Sequence, residues 1–194
     1  EDLSRGLGDV YKRQILIKSA KIIDASSKFN GKTKDIFIHK GVIEEIADKI
    51  IKKSVKEIMI KNLHVSQGWL DTSVSFGEPG LEERETIENG SLTACLSGFT
   101  NIILNSNTLP VIDSKAGIIY VKNKNKNSAV EIHPLGALTL RSDGTEMAEL
   151  WEMYNSGAVG FYDYKMSVRD PNLLKTALQY VQHFNGLIMT FPFE

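Results

Sequence analysis

The chain has 194 residues, 42% apolar and 24% charged, with a formal net charge of -1. That balance suits an ordinary globular core and argues against nucleic-acid binding driven by bulk charge. No apolar run reaches the roughly 20 residues that cross a membrane, and the single Cys95 excludes an internal disulfide or a cysteine-built zinc knuckle.

Asp9-Val10-Tyr11-Lys12-Arg13-Gln14 resembles the translation of a transposase-adapter end used in sequencing libraries. Residues 1–14 are therefore expected to be an artefact outside the fold, and the chain a metagenomic fragment. The start carries no charged-apolar-small signal pattern, and a cytoplasmic protein is the expectation.

Residues 15–64 read as part of a small β-domain. Ile15-Leu16-Ile17-Lys18 and Ala20-Lys21-Ile22-Ile23 are rich in β-branched residues, which favour strands. Asp35-Ile36-Phe37-Ile38 alternates polar and apolar, Lys40-Gly41 supplies a turn, and Val42-Ile43-Glu44-Glu45-Ile46 returns as a hairpin. Glu57-Ile58-Met59-Ile60 is a further strand.

From residue 65 to 194 the rhythm alternates strand and helix, as in a parallel sheet with crossover helices. Strands are predicted at Trp69 to Ser75, Thr100 to Leu104, Ala129 to Leu135, Ala158 to Tyr162 and Gly186 to Thr190. Helices are predicted over Glu83 to Ser97, stopped by Gly98, over Ser114 to Asn125, and over Thr145 to Asn155, with Thr145 as cap and Gly157 as stop. Pro171 opens a fourth helix whose apolar stripe is Leu173, Leu174, Ala177, Leu178 and Val181. Lys122-Asn123-Lys124-Asn125-Lys126-Asn127 reads as a solvated loop before a strand.

Gly68-Trp69-Leu70-Asp71-Thr72-Ser73-Val74-Ser75-Phe76-Gly77-Glu78-Pro79-Gly80 resembles the Gly-Phe-Ile-Asp-x-His-x-His-Leu-Arg-Glu-Pro-Gly strand and loop of dihydroorotases. The likeness continues in order through Glu85-Thr86-Ile87-Glu88-Asn89-Gly90, Gly98-Phe99-Thr100, Asn105-Ser106-Asn107-Thr108-Leu109-Pro110-Val111-Ile112-Asp113, Pro134-Leu135-Gly136-Ala137-Leu138-Thr139 and Gly157-Ala158-Val159-Gly160-Phe161-Tyr162-Asp163. Each motif alone is weak; their order and spacing together identify a member of the dihydroorotase-like, metal-dependent amidohydrolase superfamily. The resemblance implies an α/β fold: the first half of a (β/α)8 barrel, about five strands, preceded by part of a small β-domain whose completing strands lie in a missing C-terminal half.

The family reaction is reversible hydrolysis of the cyclic amide of dihydroorotate, in pyrimidine biosynthesis. A bound zinc polarises the carbonyl and lowers the pKa of a water toward ~7. Residues at i and i+2 on one strand face the same side. Here that pair is Ser73 and Ser75, and serine hydroxyls are poor zinc donors beside imidazole. The resemblance puts a further ligand histidine at Phe191 and the substrate-gripping arginine at Gly77, where a bidentate carboxylate clamp is lost. Asp163 matches a metal-bridging aspartate of one branch, Tyr162 falls where another branch carries a carbamylated lysine, and Asn107 matches a substrate-binding asparagine. His39, His64, His133 and His183 fall on no ligand position. No Gly-x-Ser-x-Gly elbow supports a serine nucleophile.

Zinc is thus expected of the family and not of this chain. The expectation is a catalytically impaired scaffold or regulatory protein. By family analogy its partners are copies of itself or an aspartate transcarbamoylase, with a small cyclic amide as substrate if it is active, and neither nucleic acid nor membrane. The alternatives are an active amidohydrolase with a metal site rebuilt around Asp71 and Asp163, and a truncated fragment without function.

Overall fold

The structure, a computed structural model, describes residues 14–53 and 55–192. The expected artefact lies outside these residues except for Gln14, which opens the first strand. Two compact units, Glu1–Gln67 and Gly68–Glu194, divide the chain.

The first unit is a five-stranded sheet of β1 (Gln14–Ile23), β2 (Thr33–His39), β3 (Val42–Ala47), β4 (Lys56–Met59) and β5 (His64–Ser66). The order is β3-β2-β1-β4, with β5 also pairing β1. The hairpin through Lys40 and Gly41 forms as predicted, antiparallel between β2 and β3. The two runs read separately around Ser19 are one strand, whose pairing with β2 continues across a register shift between Ile17 and Ala20. Ser19 sits there at φ 52. Buried Asp35 holds the irregularity, accepting from Ser19 N–H and Ile50 N–H at 2.9 Å and pairing with Lys18 at 2.6 Å. Three residues are too few to show a strand period, and β5 was not predicted; the expected boundary after residue 64 falls inside it.

In the second unit, β6 (Trp69–Val74), β7 (Phe99–Leu104), β8 (Glu131–Gly136), β9 (Gly160–Tyr162) and β10 (Ile188–Met189) run in sequential order. Every adjacent pair is parallel. Between them lie α1 (Ile87–Leu96), α2 (Lys115–Lys124), α3 (Leu150–Asn155) and α4 (Pro171–Val181). Ile102, Leu104 and Ile132 from the strands pack with Ile87, Ile118, Met153 and Phe161 in the buried core. Gly98 ends α1 at φ 88, a backbone state that glycine adopts without penalty.

Two helices start later than predicted. Thr86 caps α1, accepting from Asn89 N–H at 3.1 Å, while Gly77 N–H bonds Glu85 O, so the acidic run before it forms a turn. Thr145 caps nothing: its N–H and hydroxyl both bond Asp143 Oδ1. A bridge between Thr139 and Met147 then delays α3 to Leu150. In α4, Asp170 is the cap, accepting from Asn172 N–H, and Pro171 takes the first turn. Ala177 and Val181 of its stripe are buried, whereas Leu178 is exposed. No helix among the described residues is long and apolar enough to cross a membrane.

Candidate functional site

Parallel α/β sheets place chemistry where strands end and backbone polar groups turn outward. The ends of β6, β7 and β9 gather a polar cluster of this kind. Asn105, directly after β7, is 1% exposed, and its backbone N–H bonds Val74 O at 2.8 Å. Its side-chain Nδ2 donates to Ser73 Oγ and to Ser75 Oγ, both at 3.2 Å. The i, i+2 pair read from the sequence therefore does share a face, and one amide bridges it. Asn105 Oδ1 and Asn107 Oδ1 are buried without a partner among the described residues.

The β9 end adds two aromatic rings. Ser75 first, and then Lys165, draw the Tyr164 phenol below its ordinary pKa. The Tyr162 and Tyr164 rings meet edge to face with centroids 5.9 Å apart. Lys165 Nζ lies 5.1 Å from the Tyr164 ring centre. Lys165 itself holds φ 57, with its N–H 3.2 Å from the Tyr162 hydroxyl.

The other candidate residues sit in different roles. Asp163, buried, accepts from Leu138 N–H and Thr139 N–H on Oδ1, at 2.9 and 3.0 Å, and from the Thr139 hydroxyl on Oδ2 at 2.6 Å. That joins the β9 end to the β8 end. Asp71 Oδ1 accepts from Ser73 N–H at 3.0 Å. Phe191 follows β10 and is exposed. His133 bonds Asn101, His39 bonds Glu44 and His64 bonds Asn62 O. A Cβ at Gly77 would lie 1.7 Å from Leu81 O, so the present backbone has no room for an arginine there.

Glu78 belongs to the same loop but serves the scaffold. Its carboxylate accepts from Ile87 N–H at the start of α1, from the Tyr120 hydroxyl at 2.6 Å and from Lys124 at 2.8 Å. Burial pushes it up, but Lys124, Tyr120 and the Ile87 N–H outweigh that and hold it below the usual carboxylate range.

A metal site of the zinc type needs three or four imidazole, thiolate or carboxylate donors around one point. Among the described residues no three His, Cys, Asp or Glu side chains gather in that way. The strand-end donors are hydroxyls and amides, and three hydrogen bonds engage the Asp163 carboxylate. The residues present do not fit zinc. One cavity of about 200 Å³ lies between α1 and the β6–β7 strands. Another, of about 440 Å³, is at the opposite, N-terminal end of β7 and β8. Neither includes the polar cluster.

In the sequence Asn105 stands only as part of the Asn105-to-Asp113 motif, with no site role, and Tyr164 stands in no motif. The available signal was position, since each is a polar residue just past an apolar parallel strand.

Residues 63–191 match the family model described as dihydro-orotase-like. The chain is 34% identical over 177 residues to a dihydroorotase of Acetivibrio thermocellus, covering 91% of this chain and 41% of that protein. It is 36% identical over 169 residues to a dihydroorotase of Pelotomaculum thermopropionicum, covering 86% and 39%. The chain thus spans less than half the length of these curated relatives. Among solved structures, an L-hydantoinase (dihydropyrimidinase) from Arthrobacter aurescens superposes with a TM-score of 0.72 at 19% identity, covering 90% of this chain and 39% of that one. A dihydroorotase crystal structure gives 0.66 at 13%, covering 94% and 52%. At such identities these two bear on the fold alone, and the fold is the half-barrel with a small separate sheet.

Proposed function

The chain belongs to the dihydroorotase-like family, and from that premise we propose that it is a relative of dihydroorotase that has lost the metal chemistry and works by binding, as a scaffold or regulatory partner. The supporting observation is the bridge from Asn105 to Ser73 and Ser75, at the strand end where the family resemblance expects two histidine ligands. Asp163 adds to it, because its lone pairs are directed to Leu138 and Thr139.

Without those donors there is no Lewis acid to polarise a ring amide or to activate a water at neutral pH. What is left is a folded frame with a polar strand-end site. A frame of this kind suits association with a second copy or, by analogy with the family, with an aspartate transcarbamoylase.

The test is metal content together with dihydroorotate hydrolysis, measured on the full-length protein that carries this sequence. The expected result is no stoichiometric zinc or manganese and no turnover. Stoichiometric metal with turnover that Asp163→Ala abolishes would overturn the reading in favour of a rebuilt metal site.

A further inference from the structure

We propose that the cavity at the N-terminal end of β7 and β8 binds a small phosphomonoester whose carrier bears hydroxyl groups. It lies at the opposite end of the sheet from Ser73 and Ser75, and it stands whether or not metal chemistry is lost there.

The cavity holds about 440 Å³ between the end of α2, the loop that follows it, and the first residues of β7 and β8. Three charged side chains line it: Lys122 from α2, Lys126 from the loop and Glu131 from β8. None of the three enters an ion pair among the described residues. Other lysines of α2 do, Lys115 with Glu152 and Lys124 with Glu78. Two ammoniums and one carboxylate leave the cavity with a net positive charge. Lys122 is half-buried and Lys126 exposed, so a ligand can reach both.

The polar walls are tied in place. Asn125 Nδ2 donates to Val130 O at 2.9 Å, and its Oδ1 accepts from the buried Ser91 hydroxyl at 3.3 Å. Ser128 Oγ accepts from Val130 N–H at 3.0 Å, and Thr100 Oγ1 accepts from Asn101 Nδ2 at 3.1 Å. Asn101 Oδ1 lies 2.9 Å from His133 Nε2. Walls held in this way lower the ordering cost of binding. The Ser128 and Thr100 oxygens are occupied as acceptors, and each hydroxyl keeps one proton to give. Neither proton meets an acceptor among the described residues.

Two ammoniums and two hydroxyls match the terminal oxygens of a phosphate monoester, whose charge of about −1.5 to −2 near pH 7 two lysines balance. A helix C-terminus opposes an anion. Here Val121 O, Asn123 O and Asn125 O already accept from Asn125, Lys126 and Ser128 N–H. A bare phosphate would leave most of the space empty and would meet repulsion from Glu131. A hydroxylated carrier fills the space, and Glu131 accepts from its hydroxyls.

The test is calorimetric titration of the full-length protein that carries this sequence with glucose 6-phosphate, inorganic phosphate and glucose. Expected are saturable binding of glucose 6-phosphate, weaker binding of phosphate and none of glucose. Lys122→Met and Lys126→Met should each lower the affinity for glucose 6-phosphate about tenfold or more. Glu131→Gln should strengthen phosphate binding and narrow its gap to glucose 6-phosphate, while Lys175→Met on α4 should bind as the parent does. Melting midpoints show that each variant is folded, and Lys126, exposed in a loop, keeps the test available if Lys122→Met is not. Absence of saturable glucose 6-phosphate binding, equal or tighter binding of phosphate by the parent, or indifference to the folded lysine variants would each overturn the proposal. So would an equal loss in Lys175→Met, which would assign the binding to diffuse surface charge. Weaker phosphate binding in Glu131→Gln would overturn the selection of a hydroxylated carrier.

Discussion

At the scale of single residues, Asp163 is defined by the hydrogen bonds it accepts and Gly77 by the space around it. Asp163 accepts three hydrogen bonds from the β8 end, and truncating it would leave Leu138 N–H, Thr139 N–H and the Thr139 hydroxyl unpaired in a buried setting. Asp163→Ala should therefore lower stability by on the order of 3 kcal/mol. Asp163→Asn should recover most of it, since its carbonyl can still accept the two N–H groups. Urea midpoints of the three proteins check this; equal losses in both variants would argue against the clamp. Gly77 is a matter of space. A Cβ there meets Leu81 O at 1.7 Å, so even Gly77→Ala should cost about 1–3 kcal/mol through backbone displacement. A midpoint unchanged from the parent would show that the loop accommodates a side chain.

Among the elements, α1 and α2 are tied to the loop after β6 by one buried acid. Glu78 caps the first turn of α1 and receives Tyr120 and Lys124 from α2. Its folded pKa lies below the ordinary 4.5, so it takes up a proton more readily in the unfolded chain. Its stabilising contribution is full above about pH 4.5 and is lost as pH falls through the lowered folded value. Chemical denaturation between pH 7 and pH 3 should show that loss, and Glu78→Gln should flatten it and weaken the fold at pH 7. A pH profile unaltered by the substitution would assign the acid dependence elsewhere. In the first unit the comparable device is Asp35, which ties the irregular centre of β1 to Ile50.

For the molecule as a whole, sheet edges and apolar exposure dominate. Among the described residues β6 and β10 are the edges of the parallel sheet and pair on one side only. Trp69 and Leu96 are 63% and 80% exposed, with Leu70 and Leu92 also on the surface. Open strands and apolar surface both favour association. Residues 15–194 expressed alone should self-associate at micromolar concentration in sedimentation velocity and bind a hydrophobic dye. A single monomeric boundary with a sharp cooperative unfolding transition would contradict that.

Much of this architecture was legible in the residues. Apolar runs alternating with capped helical stripes predicted all five parallel strands of the second unit and their order in the chain, because short runs rich in apolar and β-branched residues leave a strong local signal. That Ser73 and Ser75 share one face was also legible, since position along a strand fixes which side chains share a face. Helix starts were less so: the Glu83 to Glu85 run and Thr145 look helical locally, and tertiary bonds to Gly77 and Asp143 redirect them. The site depended most on the fold. Asn105 lies 30 residues from Ser75 and bonds it only because β6 and β7 pair in parallel, and Tyr164 reaches the same place from the end of β9. Sequence determined which groups stand at the strand ends; the sheet alone decided which of them meet, because hydrogen bonding across strands depends on register rather than on distance along the chain.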